Sequence, residues 1–196
     1  MIFTEFDKIP RLNRNCTITE KIDGTNAQVY IKELLDNEVM PTDTPIVAVH
    51  GKFLIYAGSR TRWITPDQDN YGFAKWVKEN ADELVKLGIG NHFGEWWGSG
   101  IQRKYGLSEK RFSLFNTFRW NSENIPSCCH VVPVLYNGPF DTNEINLVMS
   151  NLRDLGSSAA PSFMNPEGII IYHDKARTYF KATLDKDNEY KGKGQE

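Results

Sequence analysis

Residues 16–32 read Cys16-Thr-Ile-Thr-Glu-Lys21-Ile-Asp23-Gly24-Thr-Asn-Ala-Gln-Val-Tyr-Ile-Lys32. Polar and apolar residues alternate on both sides of Asp23-Gly24. That period of two belongs to half-buried strands, and the Asp-Gly pair marks a turn between them. Downstream, Ile46–Val49 and Phe53–Ala57 are short apolar runs parted by Gly51-Lys52, which predicts a hairpin. The period then changes. Phe73, Trp76, Val77, Leu84 and Leu87 recur at helical spacing over 70–87, with Asp69 or Asn70 as the cap and Gly88 as the stop.

Residues 91–97 and 111–119 read as strands, and 131–136 as a further apolar run ending at Asn137-Gly138. Asp141 or Thr142 caps a second helix from about Thr142 to Leu155, stopped by Gly156. Glu167–Tyr172 and Thr178–Thr183 are β-rich runs joined by the polar turn 174–177. Strands, helix, strands, helix, strands: the order predicts an α+β fold with mostly antiparallel sheets.

The chain has 196 residues, enough for one sizeable domain. With 40% hydrophobic and 24% charged residues its composition is that of a globular protein. A net charge of -2 excludes a protein that holds long nucleic acid by overall charge. Local basic groups are Arg60 with Arg62, Arg103 with Lys104, and the tail from Lys186 to Lys193. Three cysteines, two of them adjacent, cannot make a disulfide framework, and no Cys-x-x-Cys pair suggests zinc. No signal peptide and no membrane-spanning stretch is evident, so a cytoplasmic protein is expected.

Six strings carry candidate chemistry. In Glu20-Lys21-Ile22-Asp23-Gly24, the strand period puts Lys21 and Asp23 on one face, an amine beside a carboxylate. An amine attacks phosphorus only when unprotonated, which calls for desolvation or neighbouring cations. In Gly58-Ser-Arg60-Thr-Arg62-Trp63, two arginines share a face of an extended segment, and their forks match phosphate or ribose oxygens. In His92-Phe-Gly94-Glu95-Trp96-Trp97-Gly98, glycines allow close backbone approach to a ligand. There Glu95 can accept from ribose hydroxyls, and Trp96 and Trp97 serve either the core or a ligand.

Phe112 and Phe115 fall on opposite strand faces, so at most one stacks under a purine. Glu167 opens a strand and suits a metal or its water beside phosphates. Lys181, among Tyr179, Phe180 and Ala182, is buried unless its strand lines a cleft, where a triphosphate would partner it.

Taken in order, these strings resemble the covalent nucleotidyltransferases: DNA ligases, RNA ligases and mRNA capping enzymes. The run Gly94-Glu-Trp-Trp-Gly-Ser-Gly-Ile-Gln-Arg-Lys-Tyr-Gly106 is most similar to small phage and bacterial RNA ligases, and the resemblance covers roughly residues 16–186. It implies an adenylation domain, an ATP-grasp-like ligase core. It implies Lys21 as the nucleophile that takes AMP from ATP, with Glu20 defining adenine and Asp23 and Gly24 completing the nucleotide-binding motif. Arg60 would lie on ribose or phosphate, Glu95 on ribose and Phe115 on adenine, with Phe112 as the alternative. Glu167 would support Mg2+ or Mn2+, and Lys181 would neutralise the α-phosphate.

Two positions depart from the family pattern. Tyr179 stands where a lysine often does, and Asn116 where an aspartate often does. The chain also ends soon after Lys181, so a single catalytic domain over 1–196 is expected, without a C-terminal OB or helical domain. The implied activity is ATP-dependent RNA ligation of 3′-hydroxyl and 5′-phosphate ends through lysyl-AMP. Its partners would be RNA ends or a nicked duplex and a separate nucleic-acid-binding protein, with no membrane and a monomeric state. The alternatives are a DNA ligase core, a GTP-using capping enzyme, and a non-catalytic nucleotide- or RNA-binding module.

Overall fold

The alternating stretch around Asp23-Gly24 does form two strands, but they do not pair with each other. The computed structural model describes residues 2–185. Strand β1 (Asn15–Lys21) joins one sheet and β2 (Thr25–Glu33) another. The described chain divides accordingly into two compact units, 2–21 with 133–185 and 22–132, and the chain crosses from one to the other after Lys21.

The first unit carries a four-stranded antiparallel sheet ordered β11-β10-β1-β9, with β9 at Val134–Pro139, β10 at Gly168–His173 and β11 at Thr178–Thr183. Cys16, Ile18, Ile169 and Ile171 face one way and pack with Val148 and Leu152 of the helix α3 (Thr142–Leu155). That helix begins and ends where the sequence predicts. The Asp141 carboxylate accepts from Asn143 N–H at 2.7 Å, and Gly156, at φ +83° and ψ -168°, takes an extended positive-φ conformation that glycine alone adopts freely.

The second unit carries a seven-stranded sheet. Its central order is β3 (Ala48–His50), β4 (Phe53–Gly58), β2, β6 (Gly90–Gly98), β7 (Lys110–Leu114), β8 (His130–Val131), and β5 (Trp63–Ile64) pairs with β4. All pairs are antiparallel except β7 with β8. The β3–β4 hairpin turns at Gly51-Lys52, as its sequence predicts.

One face of this sheet is covered by the helices α1 (Phe73–Glu79) and α2 (Ala81–Leu84). Phe73, Val77, Leu84 and Leu87 are buried there against Val29, Ile55 and Leu114. The single predicted helix is thus broken at Asn80. Its cap is more remote than expected: Asp69 accepts from the backbone of Ala74 at 2.8 Å and Lys75 at 3.0 Å, although Gly72 directly precedes the helix.

Two predicted strands are shorter than their apolar runs. β7 stops at Leu114, because Asn116 accepts backbone bonds from Arg119 and Trp120 and closes a turn. The 131–136 run is interrupted at Val132-Pro133, between β8 and β9. Among the described residues no helix is long and apolar enough to cross a membrane.

Candidate functional site

Strand register fixes which side chains share a face. In the first unit Lys21 is paired with Gly168, Thr19 with Ile170, and Ile170 with Lys181. Directly paired residues point the same way. Lys21, Thr19, Ile170 and Lys181 therefore lie on the face opposite α3. Tyr179 joins them, its ring 4.7 Å from that of Tyr172.

Lys21 Nζ lies 2.6 Å from Glu167 Oε1, both half-buried, because Glu167 immediately precedes the glycine that pairs with Lys21. The other oxygen of Glu167 is buried and has no hydrogen-bond partner among the described residues. Lys181 is exposed on the edge strand β11, not buried as its apolar neighbours suggest.

Glu20 goes the other way. It falls in step with Cys16 and Ile18, on the core face, and is 1% exposed. Its carboxylate accepts from the Ser157 hydroxyl at 2.5 Å and from the N–H groups of Ser158 and Ala159, both at 2.8 Å. Burial pushes its carboxyl above the ordinary range, and the three donors oppose that shift. The side chain anchors the loop after α3 and lies on the core face, away from Lys21, rather than beside the amine as the resemblance implies. Ser157 and its neighbours carry no local sequence signal, being some 137 residues away in the chain. The signal that does exist is an acid at a core position of an alternating strand, which demands buried donors.

In the second unit, Asp23 lies beyond the end of β1, so the strand alternation does not carry from Lys21 to it. Its carboxylate binds Arg103 Nε at 3.0 Å, and its backbone N–H donates to the Tyr105 hydroxyl at 2.8 Å. Gly24 N–H donates to Glu95 Oε1 at 3.1 Å. A Cβ on Gly24 would stand 2.5 Å from the Trp96 carbonyl oxygen and 2.7 Å from Trp97 Cβ, so only glycine fits this crossing of β2 and β6. Arg103 and Tyr105, bound to Asp23, belong to the run Gly94–Gly106; the sequence reads Arg103 only as a local basic group and gives Tyr105 no role.

Trp96 and Trp97 point to opposite faces as predicted, and both are core. The Trp96 ring packs on Phe73 and Trp76, while Trp97 donates to Ser113 Oγ at 2.8 Å and meets Tyr105 edge-on. Phe112 is fully buried against Phe73 and Trp76, whereas Phe115, just past the end of β7, is 38% exposed. Of the two candidate stacking rings, only Phe115 offers a free surface.

Arg60 and Arg62 are not on an extended segment. Ser59 N–H donates to Arg62 C=O at 2.8 Å and closes a turn between β4 and β5. Both arginines are exposed and line, with Gln28, Ser59, Thr61 and Trp63, an open cavity of about 280 Å³. The basic tail from Lys186 lies outside the described residues.

Among the described residues no group of three or more His, Cys, Asp or Glu could cage a metal. A single carboxylate with one buried, unpartnered oxygen suits a magnesium-like ion held mainly by phosphates and water.

The family model described as RNA ligase matches residues 14–184. Solved structures of Naegleria gruberi RNA ligase are similar. One variant with AMP and manganese has a TM-score of 0.57 at 17% identity, covering 88% of this chain and 50% of that one. A variant with ATP and manganese gives 0.55 at 17%, covering 88% and 50%. The structure with pyrophosphate gives 0.55 at 19%, covering 87% and 50%. At these identities the likeness is one of fold, and the chain spans about half the length of the solved ligases it matches. A comparison with curated proteins found no match.

Proposed function

The chain belongs to the RNA ligase family, and from that premise we propose that it is an ATP-dependent RNA ligase whose nucleophile is Lys21. In the first step the Lys21 amine bonds to the α-phosphorus of ATP, and the bond to pyrophosphate breaks. AMP then passes to an RNA 5′-phosphate, and attack by a 3′-hydroxyl forms the phosphodiester and releases AMP. The observation that carries the reading is the pairing of Lys21 with Glu167 at 2.6 Å, beside a second Glu167 oxygen that is buried and unpartnered among the described residues. Glu167 holds the Lys21 ammonium in place and has one oxygen left for a cation, whose charge would favour loss of the Lys21 proton.

A bound divalent metal supplies charge neutralisation on the phosphates. Lys181, exposed on the same sheet face as Lys21, adds a fixed positive charge for the α-phosphate oxygens as they gain charge. In the second unit Glu95 takes ribose hydroxyls, Phe115 stacks on adenine, and Arg60 contacts ribose or phosphate. Asp23 and Gly24 act by position: Gly24 holds Glu95 through its N–H, and Asp23 holds the Arg103 loop. Glu20 anchors the loop after α3 and through it the strand that ends in Lys21. The whole described chain, both units together, is on this reading one catalytic domain, a monomer acting on RNA inside the cell.

The test is retention of label on denatured protein after incubation with α-labelled ATP and magnesium, with α-labelled GTP and NAD in separate tubes. Label from ATP alone is expected, lost in Lys21→Ala and on chelation of the metal. Label that survives in Lys21→Ala moves the nucleophile elsewhere. Label from GTP makes the protein a capping-type enzyme. Nicks and ends of RNA and DNA then separate an RNA ligase from a DNA ligase.

A further inference from the structure

The sheet face that carries Glu95 continues into a surface whose one link to the ATP contacts proposed above is Arg60. Along β6, Asn91, Phe93, Glu95 and Trp97 alternate away from the helices, as do Asn26, Gln28 and Tyr30 along β2. Register places Glu95 across from Asn26. The next row, two residues along, runs across four strands: Phe93 with Gln28, Gln28 with Gly58, Gly58 with Trp63. That row is ~7 Å from the Glu95 row, and its two aromatic ends are three strand spacings, ~14 Å, apart.

Both rings are open: Phe93 is 50% exposed and Trp63 41%. Gly58 leaves room for the Trp63 ring, whose carbons stand 3.3 Å from where a Cβ on Gly58 would be. The ring therefore lies against the sheet. Tyr30 and Tyr56 support it, with ring centres 5.9 and 5.7 Å away. At the Trp63 end are Arg60 and Arg62, exposed and in no ion pair among the described residues, around the 280 Å³ cavity.

Aromatic faces stack on any base that is not already paired, while arginines hold phosphates without regard to sequence. A duplex keeps its bases inside and gains nothing from Phe93 and Trp63. Resting on the ligase reading above, we propose that the Phe93–Gln28–Gly58–Trp63 row is a stacking platform for the unpaired end of an RNA strand, its phosphates drawn to Arg62 and, while no ATP holds it, to Arg60. The enzyme then takes single-stranded ends rather than a nicked duplex. Two exposed rings in one row, with two arginines outside any described ion pair at its end, are a pattern that a surface evolved only to be soluble does not need.

The experiment uses the full chain without ATP, a fluorescein-labelled single-stranded RNA and a duplex of the same sequence, with affinity read by anisotropy. The wild-type protein is expected to prefer the single strand. Trp63→Ala and Phe93→Ala should each weaken single-strand binding roughly 5- to 100-fold, the range expected for loss of one stacked base. Neither should change duplex binding or the AMP label on Lys21, and Trp63→Phe should restore most of the affinity. Preference for the duplex overturns the proposal. So does single-strand affinity unchanged in both alanine variants, or an equal loss on both RNAs. If Lys21 takes no AMP while the two rings still govern single-strand binding, the ligase reading fails and the platform stands. If the label is normal and the rings are silent, only the platform fails.

Discussion

Glu20 and Lys21 are adjacent yet do opposite things, because a strand turns successive side chains to opposite faces. Lys21 reaches the open face and Glu167, while Glu20 enters the core, where Ser157, Ser158 and Ala159 all donate to it. Removing the acceptor strands a buried hydroxyl and two partly buried N–H groups at once. Glu20→Ala should therefore cost about 3 kcal/mol of stability in urea unfolding, against about 2 kcal/mol for Ser157→Ala, which leaves the acid its two backbone bonds but takes from the Ala160 N–H its acceptor. Equal losses in the two variants would show that the loop is not held by this carboxylate.

His92 makes a second prediction at this scale. It is buried under Trp120, and its Nε2 donates to the Gly88 carbonyl at 2.8 Å. Burial, with Arg119 nearby, lowers its pKa below the ordinary 6.5. The unfolded chain then binds the proton more readily than the folded one. Stability is full above that ordinary value and falls as the pH drops through it. His130, lowered chiefly by burial with Arg111 adding to it, acts in the same direction. Melting temperature measured between neutral and mildly acid pH should fall, and fall less in His92→Gln. A flat profile contradicts the buried neutral imidazole.

At the scale of elements, the crossing of β2 and β6 holds Glu95 to the Gly24 N–H. Gly24→Ala puts a methyl group 2.5 Å from the Trp96 carbonyl oxygen, so the strands must part there. Overpacking of this kind costs about 1–3 kcal/mol, and AMP labelling of Lys21 should drop with it. Wild-type labelling in a stably folded Gly24→Ala protein would separate Glu95 from the nucleotide.

What the sequence made legible follows the same division between local and distant causes. Helix α3 is read to the residue because Asp141 and Gly156 act on their own backbone. The ends of β7 and the turn at Arg60–Arg62 are not, because an apolar or alternating run does not say where its partner strand stops. Leu114 ends its ladder where Asn116 turns the chain, and Ser59 bonds Arg62 across what reads as a strand. Among candidate site residues, Lys21 and Glu167 are legible from residue type and order. The choice of Phe115 over Phe112 is not, since only the packing of Phe73 and Trp76 decides which ring is used up in the core. Tyr105 escapes notice, and Arg103 reads only as a local basic group, for a similar reason: their partner Asp23 is about 80 residues away.

For the molecule as a whole, net charge limits how nucleic acid can be held. At -2 the chain gains no general attraction to RNA, so binding must rest on the few cations that a strand can reach. Each phosphate neutralised on a single strand adds about -0.7 to the slope of log affinity against log salt. If Arg60 and Arg62 are the phosphate contacts of the platform, the slope should be about -1.4, far shallower than that of a basic nucleic-acid-binding protein. Replacing both arginines by glutamine should bring it close to zero while stacking on Trp63 and Phe93 persists. The measurement is anisotropy of labelled single-stranded RNA across a salt series. A steep slope that survives the double substitution would place the phosphate contacts elsewhere on the chain. A shallow one ties affinity to stacking, which salt hardly touches, and explains how a slightly acidic member of the RNA ligase family would grip an RNA end.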